Sequence, residues 1–247
     1  RILLILTILL LITSCSTKKK VLYLQDFDNS VSYESGYLDY LIKVDDVLKI
    51  DISSENPEVT TSFKNNTMDN NNKDSMLYNG YLVNTNGYIN FTNIGPLMVL
   101  GKTTDMVRDE IYKVVTENGI LTNPTIDVKL LNTHFTILGE VVKPGKYTYL
   151  KNNMNILEAI GMAGDLTING QRRNIRLIRE VEGKKLISTI DLTKTDFLKT
   201  DYQIFSGDII IVNPNTTRVK NAGIIGNSGT LLSLLSFILS SIIVINN

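Results

Sequence analysis

One cysteine, one histidine and no tryptophan occur in the 247 residues of this chain. The lone Cys15 excludes a disulfide framework and every cysteine-based metal finger. The lone His134 excludes histidine-rich metal sites and leaves histidine-based catalysis to a single side chain. Charge of one sign is also missing: 25 Lys and Arg stand against 25 Asp and Glu. No basic excess is left for a nucleic-acid backbone, so no nucleic-acid partner is expected. Without tryptophan, no sugar-stacking platform is visible. No catalytic constellation, metal site or cofactor is expected, and the chain reads as a non-enzyme. What remains is 43% hydrophobic and only 20% charged, a composition that folds and has room for two small domains.

Both ends carry signals. Arg1 to Ile12 is an apolar run broken only by Thr7. It is too short to cross a bilayer, which needs about 20 residues, and fits the apolar region of a secretory signal. Because Arg1 is not a methionine, a basic region is expected before it. Ile12-Thr13-Ser14-Cys15 resembles a bacterial lipobox, which implies cleavage before Cys15 and acylation of its sulfur. The alternative is an ordinary small-residue cleavage site beside an incidental cysteine. Two or three acyl chains at about 0.8 kcal/mol per buried CH₂ would hold the protein on a membrane. By the same resemblance, Ser16 directs it to the outer membrane. Lys18-Lys19-Lys20 reads as a polar tether or a contact for anionic head groups.

After Lys220 no charged side chain occurs up to Asn247. Thr230 to Ile245 is the densest apolar stretch, about 24 Å long as a helix, and about 36 Å if extended back to Ala222. That length just spans the thin outer membrane. Gly226, Gly229, Ser233, Ser236 and Ser240 step by three and four, one stripe of a helix. In lipid, such a stripe lets helices approach closely, so the tail is expected to be a membrane helix packing with copies of itself. A buried core helix and a terminal strand (Ile242 to Ile245 is β-branched) are the competing readings.

Between the ends, Leu38 to Ile52 alternates apolar and polar residues twice around a turn at Asp45-Asp46. Residues 61–76 read as a polar surface loop. Thr85-Asn86-Gly87 between two alternating runs marks a hairpin. Thr103 to Val115 has helical period, with Met106, Val107, Ile111, Val114 and Val115 on one face and Thr104 or Asp105 at the cap. Pro124 to Leu130 is a strand. Further on come a strand from Phe135, a Pro144-Gly145 turn with positive φ expected at Gly145, a helix Asn155 to Gly164 ended by Gly164, a strand Asn174 to Arg179 and a strand before Pro214.

Tyr40-Leu-Ile-Lys-Val-Asp-Asp-Val-Leu48, Val83-Asn-Thr-Asn-Gly-Tyr-Ile89, Ile94-Gly-Pro-Leu97, Gly101-Lys-Thr103 and Asn123-Pro-Thr-Ile-Asp-Val128 together resemble the polysaccharide export domain of Wza-type outer-membrane export lipoproteins. That family usually has Pro-Gly-Asp in its first turn, where this chain has Val44-Asp45-Asp46. Gly139-Glu-Val141, Pro144-Gly-Lys-Tyr147, Ala163-Gly164 and Gly207-Asp208 resemble the SLBB domain, a β-grasp module named for soluble ligand binding.

The resemblance implies an α+β chain of two small β-rich periplasmic domains with a C-terminal membrane helix. The expected division is a signal peptide over 1–14, a lipidated tether over 15–35, a polysaccharide export domain over 36–131, an SLBB β-grasp domain over 132–214, a linker over 215–229 and a transmembrane helix over 230–247. It implies a lipid-anchored outer-membrane protein that forms or completes an oligomeric conduit for capsular polysaccharide or exopolysaccharide. The partners implied are the polysaccharide cargo, further copies in a homo-oligomeric ring and an inner-membrane polysaccharide co-polymerase; a separate outer-membrane β-barrel is a variant. A periplasmic glycan-binding scaffold without a pore is the second reading, and an envelope-glycan enzyme the third.

Three other features read as structural. Gly95-Pro-Leu-Met-Val-Leu-Gly-Lys-Thr103 imitates a phosphate-binding loop, but it has one residue too many and Pro96 lacks an N–H. Asp45 and Asp46 read as a solvated turn. His134 reads as a structural or subunit-contact residue.

Overall fold

The computed structural model describes residues 21–26, 32, 36, 38–54, 80–198, 202–221 and 228–245. Its buried apolar side chains gather into two clusters, one drawn from Ile42 to Val128 and the other from Phe135 to Val212.

In the first cluster, β1 (Val47–Ser53) lies between β2 (Tyr81–Leu82) and β5 (Thr125–Leu130), antiparallel to both. The register sets Ile50 opposite Val128 and Ile52 opposite Ile126, so alternation points one apolar set inward. The same register sets Lys49 against Lys129 and Asp51 against Asp127 on the wet face. Like charges face each other across the strands, and each lysine turns to the aspartate on its own strand instead, Lys49 to Asp51 at 2.8 Å and Lys129 to Asp127.

A hairpin of β3 (Tyr88–Phe91) and β4 (Gly95–Met98) follows the Asn86-Gly87 turn, where Gly87 takes φ +85°. Helix α1 (Thr104–Glu117) closes the cluster with Val107, Ile111 and Val115. Thr103 is its cap and accepts from the Met106 N–H at 3.1 Å, one residue earlier than the sequence suggests. Met106 is exposed, because a face centred on 107, 111 and 115 turns position 106 about 100° away. The strand expected before Asp45 does not form among the described residues. Ile42 instead exchanges backbone hydrogen bonds with Lys102 and Gly101, both at 2.9 Å. The polar loop expected over 61–76 lies outside the described residues.

The second cluster is built on a mixed sheet of β6 (His134–Gly139), β7 (Gly145–Thr148), β9 (Gly170–Val181), β10 (Lys184–Ile190) and β12 (Ile209–Pro214), in the order β10-β9-β12-β6-β7. β12 runs parallel to β6 and every other pair is antiparallel. Helix α2 (Ile156–Met162) buries Ile156, Ala159 and Ile160 on this sheet, the β-grasp arrangement. Asn155 and Glu158 form a capping box at its start, and Lys151 with the Asn155 N–H holds Glu158 below its ordinary pKa. The short pair β8 (Met154–Asn155) and β11 (Gln203–Ile204) completes the cluster.

Gly145 does not take positive φ, whereas Gly139 does, at +93°. A Cβ on Gly139 would sit 2.0 Å from the Val212 carbonyl oxygen, so the close approach of β6 to β12 needs glycine. Gly164 (φ +78°) follows the helix cap Ala163. β10 has no counterpart among the sequence expectations: six of its seven residues are exposed, so burial imposes no alternation on it.

After β12 come helix α3 (Thr216–Asn221) and helix α4 (Ser228–Ile245). The expected transmembrane helix over 230–247 is not supported. α4 has 18 residues and is about 27 Å long, at the short end of the roughly 20 residues of a single span. Among the described residues no helix is long and apolar enough to cross a membrane.

Candidate functional site

Two four-residue turns, one from each cluster, meet at the junction. In the first, the Asp46 carboxylate accepts from the Lys43 N–H at 2.8 Å, with Asp45 in the left-handed region at φ +68°. In the second, the Asp208 carboxylate accepts from the Phe205 N–H at 2.8 Å, with Gly207 at φ +88°. Asp45 thus takes the conformation that glycine takes in the matching turn, which aspartate tolerates better than most residues. Asp46 and Asp208 are both buried, which overturns the solvated-turn reading for Asp46 while Asp45 remains exposed.

Aromatic and charged groups join the turns. The Tyr40 ring meets Phe205 edge-on at 5.9 Å, and its hydroxyl donates to Asp46 at 3.0 Å. The Arg179 guanidinium lies 4.2 Å from the centre of the Phe205 ring and donates twice to Asp208, at 2.9 and 2.6 Å. The Gln203 amide bridges the clusters: it accepts from the Leu38 N–H at 3.1 Å and donates to the Leu38 carbonyl at 3.0 Å. Burial raises the Asp46 pKa above 3.8, opposed by the Lys43 N–H and the Tyr40 hydroxyl. Burial, then the nearby Asp46 carboxylate, raises Tyr40. Burial, then Asp208, raises Tyr149, whose hydroxyl donates to the Ile204 carbonyl at 3.1 Å.

His134 stands at the edge of this junction. Its Nδ1 donates to the Asn132 carbonyl at 2.8 Å and its backbone N–H to Ser206 Oγ at 3.4 Å. Lys102 contacts Glu110, and Thr103 caps α1, so the loop that imitates a phosphate site is a strand-to-helix turn. Among the described residues no group of His, Cys, Asp or Glu could hold a metal ion.

Of the residues singled out for anchoring, Cys15 and Gly226 lie outside the described residues. Gly229, Ser233, Ser236 and Ser240 all fall on α4 and are exposed. The Ser236 hydroxyl donates to the Ser233 carbonyl at 2.9 Å, so this serine is satisfied within its own helix.

The outer face of the second sheet is unusual. Pairing aligns Ile187, Ile178, Ile209, Thr136 and Lys146 in one row across five strands. Thr189, Arg176, Ile211 and Leu138 form the next. None of these side chains joins the buried core, and Ile187 and Leu138 are exposed. Five apolar side chains thus share this face with Thr136, Lys146, Thr189 and Arg176.

The sequence has counterparts among known proteins. The family model described as polysaccharide biosynthesis/export protein matches residues 36–131, and the SLBB domain model matches residues 134–189. Residues 36–131 thus belong to the polysaccharide export family. It is 30% identical over 140 residues to the EPS I polysaccharide export outer membrane protein EpsA of Ralstonia solanacearum, a match covering 55% of this chain and 36% of that protein. The EpsA of Ralstonia nicotianae is 35% identical over 104 residues, 40% of this chain and 27% of the relative. The exopolysaccharide production protein ExoF of Rhizobium meliloti is 34% identical over 96 residues, 37% of this chain and 23% of the relative. The chain thus aligns with about a third or less of each of these relatives. The first cluster falls within the stretch that matches the export model, and the second contains the stretch that matches the SLBB model.

The two junction turns carry motifs that the sequence resemblance marks, Asp45-Asp46 and Gly207-Asp208. Arg179, Phe205 and Gln203 are not legible as junction residues, because their roles depend on pairings across the chain, such as the one that joins Gln203 to Leu38.

Proposed function

We propose that this chain is an outer-membrane lipoprotein, acylated at Cys15, that forms or completes an oligomeric conduit for exported capsular polysaccharide or exopolysaccharide. The observation that carries the reading is an export domain followed by an SLBB domain in one chain, with relatives named as polysaccharide export outer membrane proteins. Its domains lie in the periplasm. The junction of paired turns holds the two domains together, so that rings built from either stay in register. The isoleucine-rich sheet face supplies a subunit contact. The stripe of Gly226, Gly229, Ser233, Ser236 and Ser240 lets terminal helices pack with one another or against a separate outer-membrane β-barrel. An inner-membrane polysaccharide co-polymerase delivers the cargo from the periplasmic side.

Native mass spectrometry of the full chain in detergent tests the assembly. A discrete ring-sized oligomer is expected, and a strict monomer contradicts it. A second reading, a glycan-binding scaffold lipoprotein without a pore, draws on α4: the helix is 18 residues long and Ser236 and Ser241 donate to their own helix backbone. Deleting residues 222–247 separates the two. Loss of glycan export with the lipoprotein still in the membrane fits the conduit, and unchanged export fits the scaffold.

A further inference from the structure

Two flanking segments, residues 21–26 and 215–219, are tied to the SLBB-containing cluster at one place. At the N-terminal side, residues 21–26 are strapped to that cluster. The Leu24 N–H donates to the Leu192 carbonyl at 3.1 Å, the Gln25 N–H to the Thr193 carbonyl at 2.7 Å, and Asp26 accepts from the Thr195 N–H at 2.7 Å. The Tyr23 hydroxyl donates to Asp165, and the Arg172 guanidinium lies 5.3 Å over the Tyr23 ring. Arg172 is itself buried and holds the carbonyls of Thr167 and Gly170 at 3.2 and 3.1 Å.

At the C-terminal side, the Asn215 N–H donates to the Asn169 carbonyl at 2.7 Å, and Arg218 pairs with Glu140 at 3.4 Å. Asp165, Thr167 and Asn169 belong to one loop. That loop is tied to residues 140–143: the Val142 N–H donates to the Asp165 carbonyl at 3.0 Å, the Lys143 N–H to the Ala163 carbonyl at 2.9 Å, and Thr167 Oγ1 to Glu140 at 2.6 Å.

This hydrogen-bonded knot carries exposed apolar side chains. Ile168, between two residues fixed in the knot, is 68% exposed; Val142 is 57% and Val219 59% exposed. Leu22 beside Tyr23 is exposed as well. Lys143 and Arg218 are the exposed basic groups among them, Arg218 already paired with Glu140, and Asp165 is an exposed acid.

We infer that this end of the domain, residues 140–143 and 163–170 with Leu22 and Val219, lies against the lipid surface of the membrane and seats Val142 and Ile168 in its interfacial layer. The inference rests on the reading that Cys15 is acylated. Leu22 follows Cys15 by seven positions, and an extended chain of that length reaches at most about 25 Å. An acyl anchor therefore holds the knot within that distance of the bilayer. The other route out of the knot leads to α4, the most apolar helix among the described residues. Isoleucine and valine at such a position enter the boundary between head groups and acyl chains, and Lys143 suits the anionic phosphates beside them.

The test uses the full chain carrying a polarity-sensitive thiol probe on Ile168→Cys or Val142→Cys, with Tyr112→Cys on α1 and Lys185→Cys on β10 as comparisons. The chains are bound to vesicles of phosphatidylethanolamine and phosphatidylglycerol containing nitroxide-labelled lipid. Blue-shifted, quenched emission is expected at 142 and 168 and water-like emission at 112 and 185. Water-like emission at 142 and 168, or absence of vesicle binding, overturns the inference. The parent chain reads the anchor separately, since its one thiol is Cys15: no probe uptake supports acylation and uptake refutes it. In that event the four probes are read in the Cys15→Ser background, where quenching at 142 and 168 still supports the lipid-facing surface and its loss overturns it.

Discussion

Asp46 and Asp208 close matching turns from different domains, each accepting from the N–H three residues earlier at 2.8 Å, and Tyr40 and Phe205 meet between them. The two carboxylates nonetheless sit in different electrostatic settings. Arg179 forks onto Asp208, whereas Asp46 has a tyrosine hydroxyl and a backbone N–H. Substitution by the neutral amide separates these settings.

At Asp46, burial raises the pKa above 3.8, so the folded chain holds this proton more tightly than the unfolded chain. Stability from this group is full below that value and is lost as pH rises through the raised one. The Asp46→Asn variant keeps a side-chain oxygen to accept from Lys43 and Tyr40 without the desolvated charge. It is therefore expected within about 1 kcal/mol of wild type at pH 7. Relative to wild type it becomes less stable on acidification, as the native carboxyl gains its proton at the raised pKa. Urea denaturation at neutral and at acid pH measures this; a variant much weaker at neutral pH and matching wild type in acid would contradict it.

At Asp208 the opposite is expected. Asp208→Asn leaves Arg179, whose side chain is only 20% exposed, without its counter-charge. Removing one partner of a buried pair costs about 3 kcal/mol or more. The midpoint of urea unfolding at neutral pH should fall accordingly, and an unchanged midpoint would show that Gln203 and Phe205 alone satisfy the guanidinium.

Gly139→Ala tests the closure of the SLBB sheet. A methyl 2.0 Å from the Val212 oxygen, at φ +93°, forces β6 away from β12. A loss of more than about 2 kcal/mol is expected from strain and displaced pairing, read by thermal unfolding. Gly145→Ala, where a Cβ meets nothing within 4 Å, should stay close to wild type.

Ile187→Asp tests the outer sheet face. Ile187 is 65% exposed on the edge strand β10, so a change within about 0.5 kcal/mol in the stability of the isolated chain is expected. If that face is a subunit contact, the oligomer should dissociate at higher protein concentration in light scattering. An intact oligomer would move the contact elsewhere. Lys184 and Lys185 on the same strand discourage open-ended pairing along its edge.

Much of this arrangement can be read from the chain itself. The apolar period of Val107, Ile111 and Val115 and the helix that starts at Asn155 are local signals, and local physics decides them. The Asn86-Gly87 turn follows the same logic. The junction is hidden for a different reason: Tyr40 meets Phe205 at 5.9 Å only where the two clusters touch, and Arg179 reaches the Phe205 ring at 4.2 Å only through pairings within the second cluster. Asp46 looks solvated in sequence because its turn is polar in one dimension, while Tyr40 covers it in three.

The proposed function is that this chain takes part in exporting polysaccharide from the cell. The direct measurement is cell-surface and released polysaccharide in the source strain after deletion of the gene, with restoration by the full chain and by Cys15→Ser. The account expects surface glycan to vanish while glycan accumulates inside the envelope, recovery with the full chain, and poor recovery with Cys15→Ser. Unchanged surface glycan in the deletion strain, or loss without internal accumulation, would contradict it.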